Sequence, residues 1–312
     1  MTLSFLADRV ENPANLARID DAAMLLGALR SSSIVGRLIA VENTAGARSV
    51  YGRRPLSGDA TLVVGNERRG LSRETLRRAD ETVVIPTLSR TVTTLNVAAA
   101  LAVAAWYVLH GSGAQRHVTT PEIRMPALLI IGDDHVEVGS SLRSAAAFGF
   151  RDVLLDDRGA GWFDGSSSIR REAFAAARRH KNPLRVHRAT LEVVARFDEI
   201  VIVIPCGAAV PLKRERLAHG RRQLIIVGAG EEDIARIGTD RVRVATLGVG
   251  QIARPPLRLV ASIIMAEIAR QVGCRPPTPG RRAPGPPTYD SAIPLIPEAD
   301  ILLVEPSQLL TY

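Results

Sequence analysis

The chain contains an internal repeat, which constrains its fold more than any other feature of the sequence. DDAAMLLG (Asp20–Gly27) aligns without a gap with LRSAAAFG (Leu142–Gly149), small residues facing small residues and glycine facing glycine. Further along, TLNVAAALAVAA (Thr94–Ala105) aligns with PLRLVASIIMAE (Pro256–Glu267). Between these pairs, each half has an apolar run that ends in glycine, LVVG in the first and LIIVG in the second. The same order of elements occurs twice, which predicts a duplicated α/β unit.

Short apolar runs predict the strands of these units. RLIAV, TLVVG, ALLIIG, DVLLD, EIVIVI and QLIIVG are continuous rather than alternating, which is typical of parallel sheets covered by helices on both faces. Because aromatic residues make up only 4% of the chain, the cores should consist mainly of Ala, Val, Leu and Ile. We therefore expect an α/β fold with two mostly parallel sheets. Ligands of such sheets bind at the carboxyl ends of strands, which is where Gly65, Asn66 and Glu67 lie.

The composition divides the chain into four segments. We expect the first unit over residues 1–112 and the second over residues 127–273, with a polar linker rich in Gly and Pro at 113–126. Residues 274–312 form a tail whose many prolines exclude regular structure over its first part. The apolar stretch Ala299–Pro306 is expected either to return as an edge strand or to pack on a partner. The rest of the tail has the composition of an ordinary disordered extension.

The chain is basic, which favours contact with a polyanion. Its 40 Lys and Arg residues outnumber its 32 Asp and Glu residues, and only Lys181 and Lys213 are lysines. Arginine pairs well with phosphate, although an arginine-rich genome accounts for this composition equally well. The longest apolar stretch, Val97–Leu109, is too short to span a bilayer. With no secretion signal and two cysteines without metal-ligand spacing, we expect a soluble cytoplasmic protein without a metal or a membrane partner.

Two polar loops carry the candidate site residues. The first, VVGNERRGLS (Val63–Ser72), ends a strand with glycine, asparagine and glutamate, and its two glycines allow a ligand to approach the backbone closely. The second follows a strand ending at Ile85–Pro86, after which Thr94, Leu95 and Asn96 open an alanine-rich helix. On residue types alone, Thr94 or Asn96 could simply cap that helix. Capping does not explain why a glycine loop with Asn66 and Glu67 lies one strand earlier.

Together with DRVENPANLARIDDAA (Asp8–Ala23), these loops resemble the motifs of the SPOUT methyltransferases, specifically the SpoU/TrmH-like branch that methylates ribose 2′-hydroxyls of tRNA and rRNA. GNERRG (Gly65–Gly70) is similar to the second motif of that branch and IP…TLNVAAA (Ile85–Ala100) to the third. The resemblance implies a trefoil knot, S-adenosylmethionine as the cofactor, RNA as the partner and an active site across a dimer interface. The residues that it implies for cofactor binding are Val64, Gly65, Asn66, Glu67, Gly70, Ile85, Pro86, Leu88, Thr94, Leu95 and Asn96.

The halves depart from the family motifs at complementary positions. The aligned register places Asn15 over Glu137 and Asp21 over Arg143, and the arginine of the family's first motif falls on the latter pair. The second half has also lost the order of its cofactor loops: VGAGEED replaces the Gly-Asn-Glu order, and Arg258 stands where the first half has Asn96. We therefore expect an intramolecular pseudo-dimer with one composite site, formed by the pocket of the first half with Arg143 supplied by the second.

Within this composite site, the resemblance implies catalytic roles for Asn15, Glu67, Thr94, Asn96 and Arg143. A guanidinium holds its proton too tightly to act as a base, so we expect Arg143 to orient a phosphate or ribose and to stabilise a forming alkoxide. Other interpretations stay open at this point. The protein could be a catalytically silent RNA-binding member or an enzyme acting on a small molecule, and Glu137 could form a simple ion pair with Arg143. Two chains could also pair further as a homodimer.

Overall fold

The computed structural model describes residues 2–89, 92, 94–112, 125–163, 184–217, 222–237, 240–273 and the backbone of 301–304. The predicted linker apart from Met125 and Pro126, and most of the predicted tail, lie outside these residues. Below, the first half is residues 2–112, and the second half is residues 125–273 together with the strand at 301–304.

The first half is built on a six-stranded sheet whose hydrogen-bonded strand pairs are all parallel. In chain order, the strands are β1 Leu3–Ala7, β2 Leu29–Arg30, β3 Arg37–Val41, β4 Arg48–Ser49, β5 Ala60–Val64 and β6 Glu81–Val84. The helices of this half are α1 Pro13–Leu26, α2 Arg73–Arg78 and α3 Val97–His110. Leu38, Ala40 and Val63 form a small apolar cluster on the face that α2 covers.

The second half is built on an eight-stranded sheet that is parallel except at one edge. Its strands are β7 Ala127–Ile131, β8 Asp152–Asp156, β9 Leu184–Arg188, β10 Glu199–Ile204, β11 Val210–Pro211, β12 Gln223–Val227, β13 Val242–Thr246 and β14 Ile301–Val304. Its helices are α4 His135–Ala147, α5 Leu191–Ala195, α6 Glu231–Ile237 and α7 Leu257–Gln271. Strand β14 pairs antiparallel with β9 at the sheet edge, which confirms that the apolar stretch near the C-terminus returns as an edge strand.

The two sheets have the same strand order. The first runs β2-β1-β5-β3-β6-β4, and the second runs β8-β7-β12-β10-β13-β11, extended beyond β8 by β9 and β14. Each strand of the first half thus has a counterpart in the same sheet position and in the same chain order in the second. All six apolar runs predicted as strands are strands, and the α/β class is confirmed. Strand β9 and helix α5 lie between β8 and β10, so part of the extra length of the second half is an insertion there.

The halves share one apolar core, which is built from the helices between the two sheets. Helix α3 packs against α1 of its own half and against α7 of the other, and α7 packs in turn against α4. Trp106 and Tyr107 of α3 are completely or almost completely buried, and the Trp106 indole N–H donates to the Leu247 carbonyl at 3.0 Å. Because α3 is enclosed on several sides, its sequence is apolar without a polar stripe. No helix in the described part of the chain is both long and apolar enough to cross a membrane.

Candidate functional site

The loop after β5, Gly65–Gly70, closes on itself, and we call it the second-motif loop. The backbones of Asn66 and Gly70 exchange two hydrogen bonds, of 3.1 and 2.8 Å. The Asn66 side chain accepts from the N–H groups of Arg68 and Arg69 and donates to the Arg9 carbonyl at 3.0 Å. The amide of Asn66 therefore shapes the loop from within, and its polar atoms have partners before any ligand arrives.

Both glycines of the second-motif loop are required by its geometry. A Cβ at Gly65 would overlap the backbone of Gly70 and Leu71. Gly70 has a φ of +66°, and a Cβ there would meet the carboxylate of Glu42. A left-handed φ is inexpensive only for glycine. The loop is thus a tight return of the chain, which brings its backbone close to the ends of the neighbouring strands.

Two carboxylates, which the sequence did not single out, anchor the residues after this loop. Glu42, directly after β3, accepts from the Leu71 N–H at 2.8 Å. Asp8, directly after β1, accepts from the Ser72 N–H at 2.8 Å and from the Thr75 hydroxyl at 2.7 Å. Burial raises the pKa of Asp8, but the hydrogen bonds from Ser72 and Thr75 outweigh it and hold the pKa below its ordinary value. Asp8 is therefore ionised and acts as a fixed acceptor at neutral pH.

Helix α1 places Asn15 and Arg18 beside the second-motif loop. It begins where the Asn12 side chain accepts from the Ala14 N–H at 2.9 Å, with Pro13 in its first turn. Asn15, 7% exposed, donates through its amide to the Glu67 carboxylate, and it accepts from the Arg18 guanidinium at 3.3 Å. Of the predicted residues, Asn15 and Glu67 are therefore in direct contact. Arg18, one turn after Asn15, was not predicted.

The segment Ile85–Asn96, which we call the third-motif loop, supplies an apolar surface and the side-chain amide of Asn96. Ile85, Leu88 and Leu95 pack on the core but remain only partly buried. Asn96 caps α3, since its side-chain oxygen accepts from the Ala98 N–H at 3.0 Å. The residue types alone had allowed this capping role. No described residue accepts from the Asn96 Nδ2. The other predicted residues here differ in exposure: the Pro86 ring is buried and Thr94 is exposed, and residues 90, 91 and 93 are not described.

The second half reaches the third-motif loop through the end of α4. The backbone N–H groups of Leu88 and Ser89 both donate to the Ala147 carbonyl, at 3.2 and 3.0 Å. Arg143 lies one helical turn before Ala147 and is only 8% exposed. Burial first, and then the charge of Arg18, lower the pKa of the Arg143 guanidinium below its ordinary value.

The suggestion that Glu137 forms an ion pair with Arg143 is wrong. Glu137 pairs instead with the Arg258 guanidinium and also accepts from the Arg258 backbone N–H at 2.9 Å. Asp21 of α1 binds the other side of the same guanidinium. These three residues, the charge triad, are three of the positions where the aligned halves depart from the family motifs. In the aligned register, Asp21 corresponds to Arg143, Glu137 to Asn15 and Arg258 to Asn96. The two carboxylates pair with the one guanidinium.

The second-half loop equivalent to the second-motif loop is also closed by its own side chains. Asp233 accepts from the Gly230 N–H at 2.7 Å and pairs with the Arg158 guanidinium at 2.5 Å. A cavity of about 220 Å³ lies beside Asp233, between the ends of β7 and β8 and helix α6, and none of the predicted site residues lines it. Within the described residues, no group of three His, Cys, Asp or Glu side chains is arranged to hold a metal ion.

Part of the chain matches a known protein family. Residues 11–106 match the SpoU rRNA Methylase family, a range that contains the second-motif loop, the third-motif loop and most of α3. No curated protein matches the chain in sequence.

Solved structures resemble the chain only distantly. A protein of the TrmH family of RNA methyltransferases from Porphyromonas gingivalis is 20% identical over 35% of this chain and 59% of its own, with a TM-score of 0.30. The TrmH/SpoU tRNA modifying enzyme of A. aeolicus is 14% identical over 48% of this chain and 76% of its own, with a TM-score of 0.34. The SpoU methyltransferase AviRb of Streptomyces viridochromogenes, solved with AdoMet, is 14% identical over 84% and 89%, with a TM-score of 0.28.

Proposed function

We propose, from the match of residues 11–106 to the SpoU rRNA Methylase family, that the chain transfers the methyl group of S-adenosylmethionine to a ribose 2′-hydroxyl of tRNA or rRNA. One composite site does the chemistry, built from the second-motif and third-motif loops of the first half and from Arg143 of the second. The observation that carries this proposal is the contrast between the two equivalent sets of residues. Asn15, Asn96 and Arg143 keep the family's residue types, whereas Glu137, Arg258 and Asp21 have become a charge triad.

The side chains of the first half fit the cofactor. Parallel strands lie about 5 Å apart, so the carboxyl ends of β5 and β6, which flank β3, are about 10 Å apart. The two loops that follow these strands are the ones that would hold the adenosine of the cofactor. The partly buried side chains of Ile85, Leu88 and Leu95 offer an apolar surface for adenine, and backbone groups of both loops can bind its edge and its ribose. When bound, S-adenosylmethionine supplies the electrophilic methyl group.

The protein's main task in such a direct displacement is to position the hydroxyl. To the buried Arg143 guanidinium we assign two roles: it orients the RNA backbone and stabilises negative charge as the hydroxyl oxygen loses its proton. The exposed Glu67 carboxylate, held by Asn15, is the acceptor that we assign to that proton. The Asn96 amide N–H is a donor for the cofactor or for the ribose, while its oxygen stays on the helix cap.

Calorimetric titration with S-adenosylmethionine tests the cofactor site. We expect about one molecule bound per chain, and a large loss of affinity in an Asn96→Ser variant. Serine keeps a capping oxygen for α3 and removes only the amide donor, so thermal unfolding should show that this variant is still folded. Binding of two molecules per chain would contradict the single site. No binding would instead favour a catalytically silent RNA-binding protein.

An Arg143→Ala variant tests the composite arrangement. We expect it to abolish methyl transfer from radiolabelled S-adenosylmethionine to RNA while leaving cofactor affinity nearly unchanged, because Arg143 acts on the RNA and not on the cofactor. Full activity in this variant would contradict the assignment of Arg143. Methyl transfer to a small molecule but not to RNA would favour the alternative of an enzyme retooled for another substrate.

A further inference from the structure

Six exposed arginines lie on the second-motif loop and on the two segments beside it. They are Arg9, Arg68, Arg69, Arg73, Arg77 and Arg78, and we call them the basic surface. The Asn66 side chain holds the backbones of the first three together: it donates to the Arg9 carbonyl at 3.0 Å and accepts from the N–H groups of the two loop arginines at 3.0 and 3.3 Å. The other three lie on α2, the helix that follows the loop.

The charge of the basic surface is largely left to solvent. Among the described residues, the five arginines of the loop and of α2 form no ion pair, and Arg9 approaches Asp8 only at 3.9 Å with its side chain 69% exposed. Two glutamates lie among these arginines, Glu67 and Glu74. The carboxylate of Glu67 accepts from Asn15 instead of an arginine. The guanidinium groups are therefore available to an anionic partner.

The equivalent surface of the second half is acidic. Helix α6 corresponds to α2, because the two helices connect equivalent strands, β12 to β13 and β5 to β6. Helix α2 has three arginines and one glutamate, whereas α6 begins with three acids, residues 231–233, and has a single arginine. Asp133 lies two residues after β7, as Arg9 lies two residues after β1. An arginine-rich genome would enrich both surfaces alike, so composition does not explain the difference.

We propose that the basic surface binds the phosphate backbone of the RNA beside the methylated nucleotide, and that the equivalent surface of the second half makes no such contact. This inference rests on the proposed function and adds to it the side of the molecule on which the RNA lies. Exposed guanidinium groups bind phosphates through forked N–H donors, while the acids of α6 repel them. Because Arg68 directly follows Glu67, RNA bound here lies next to the group that we assign as proton acceptor.

Such a surface positions the RNA without selecting its sequence. Phosphate contacts carry no sequence information of their own, and the chain has no aromatic residue in the loop or in α2 on which a base could stack. The two turns of α2 are about 9 Å long, so the surface holds a short stretch of backbone. The choice of nucleotide is therefore made elsewhere in the site.

The salt dependence of RNA binding tests this surface. Fluorescence anisotropy with fluorescein-labelled, unfractionated tRNA, over a series of KCl concentrations, compares the full chain with the α2 variant, Arg73→Gln/Arg77→Gln/Arg78→Gln. Each lost phosphate contact reduces the slope of log K against log [KCl] by about 0.7–0.9, so the α2 variant should reduce it by about 2. The control, Arg196→Gln/Arg222→Gln/Arg236→Gln, removes three exposed arginines of the second half and should keep the wild-type slope.

Equal slopes for the α2 variant and its control would overturn the proposal, because the loss would then reflect net charge alone. Thermal unfolding shows whether both variants are folded. If the α2 variant is not, Arg68→Gln/Arg69→Gln decides by the same measurement, since only the backbone groups of these two residues are bonded within the loop.

Methyl transfer from radiolabelled S-adenosylmethionine separates this surface from the proposed function. Transfer to RNA by the wild type, with equal slopes for the α2 variant and its control, would reject the surface and leave the proposed function standing. A slope that depends on the α2 arginines, without methyl transfer by the wild type, would reject the proposed function and leave the surface standing.

Discussion

The space available for one Cβ atom decides which residues the second-motif loop can contain. An added Cβ at Gly65 has no free space, because the backbone of Gly70 and Leu71 returns directly over it. At Gly58, in the segment before β5, an added Cβ meets nothing within 4 Å, and φ there is not positive. The two positions therefore form a matched pair of glycines, one enclosed and one open.

We predict that Gly65→Ala lowers the free energy of unfolding by more than about 2 kcal/mol, since backbone cannot yield as a flexible side chain can. Gly58→Ala should stay within about 0.5 kcal/mol of wild type. Urea denaturation measures both, and calorimetry with S-adenosylmethionine should show that only Gly65→Ala loses binding. If the two variants were equally stable, the tight return of the loop would not be a requirement of the fold.

The sequence allowed the residues of this loop to be predicted, but not the contacts that shape it. A cofactor contact of Asn66 stays a prediction, and the bonds from its side chain to Arg68, Arg69 and the Arg9 carbonyl were not foreseen. Asp8 and Glu42 were missed as anchors of the loop. Their partners are 64 and 29 residues away along the chain. The residues around an acid at the end of a strand do not indicate which distant group it will bind.

At the scale of elements, the charge triad fixes α1 of the first half to α4 and α7 of the second. Arg258 is the buried member, with 8% of its side chain exposed, whereas Asp21 and Glu137 retain 37% and 21%. Burial lowers the pKa of Arg258, against the opposing charge of Asp21. The energetic consequence of breaking the triad should therefore depend on which member is removed.

We predict that the double variant Asp21→Asn/Glu137→Gln is destabilised by about 3 kcal/mol, because it leaves the Arg258 guanidinium buried without a counter-ion. Arg258→Met should cost less, since the two carboxylates left behind can be hydrated and methionine fills the space of the aliphatic stem. Urea denaturation compares their free energies of unfolding. Arg196→Gln is the control, because it removes an exposed ion pair with Glu192, and exposed ion pairs contribute little to stability. A larger loss in Arg258→Met than in the double variant would show that the triad is not held together by the charge of Arg258.

The elements were more predictable than the contacts between them. Continuous apolar runs identified strands such as β5 and β12, because a strand covered on both faces has no polar positions. The alignment of the halves showed that Asp21, Glu137 and Arg258 depart from the motifs, and yet their mutual contact was not foreseen. These residues come from three helices and pair across 237 and 121 positions of the chain. Only the packing of α1, α4 and α7 brings them together.

At the scale of the whole molecule, the halves are joined by a buried polar network at the contact of α3 with α7. The Tyr107 hydroxyl donates to the Glu267 carboxylate at 2.8 Å, and the Arg270 guanidinium binds that carboxylate at 2.6 and 2.8 Å. Tyr107 and Glu267 are completely buried. The common core and this network make the two halves one folded unit in the described part of the chain. A knot, and the pairing of two chains, stay predictions.

Because of this network, the free energy of unfolding should decrease at alkaline pH. Burial raises the pKa of Tyr107 well above its ordinary value of 10.0, and the neighbouring charge of Glu267 raises it further. A phenol that keeps its proton in the folded chain and loses it in the unfolded chain favours unfolding as the pH rises. The free energy of unfolding should therefore fall once the pH passes about 10, by up to about 1.4 kcal/mol per pH unit from this one group.

We predict that Tyr107→Phe separates this effect from the other groups that titrate at alkaline pH. At pH 7 the variant should be less stable by about 1–2 kcal/mol, because Glu267 loses one donor but keeps Arg270 and Gln271. Between pH 9 and 11 its free energy of unfolding should fall less steeply than that of wild type, so that the two curves converge. Urea denaturation at each pH gives both curves, and every other titrating group is common to the two proteins. Parallel curves would mean that the Tyr107 phenol ionises as easily in the folded protein as in the unfolded one, and that the contact between the halves is open to water.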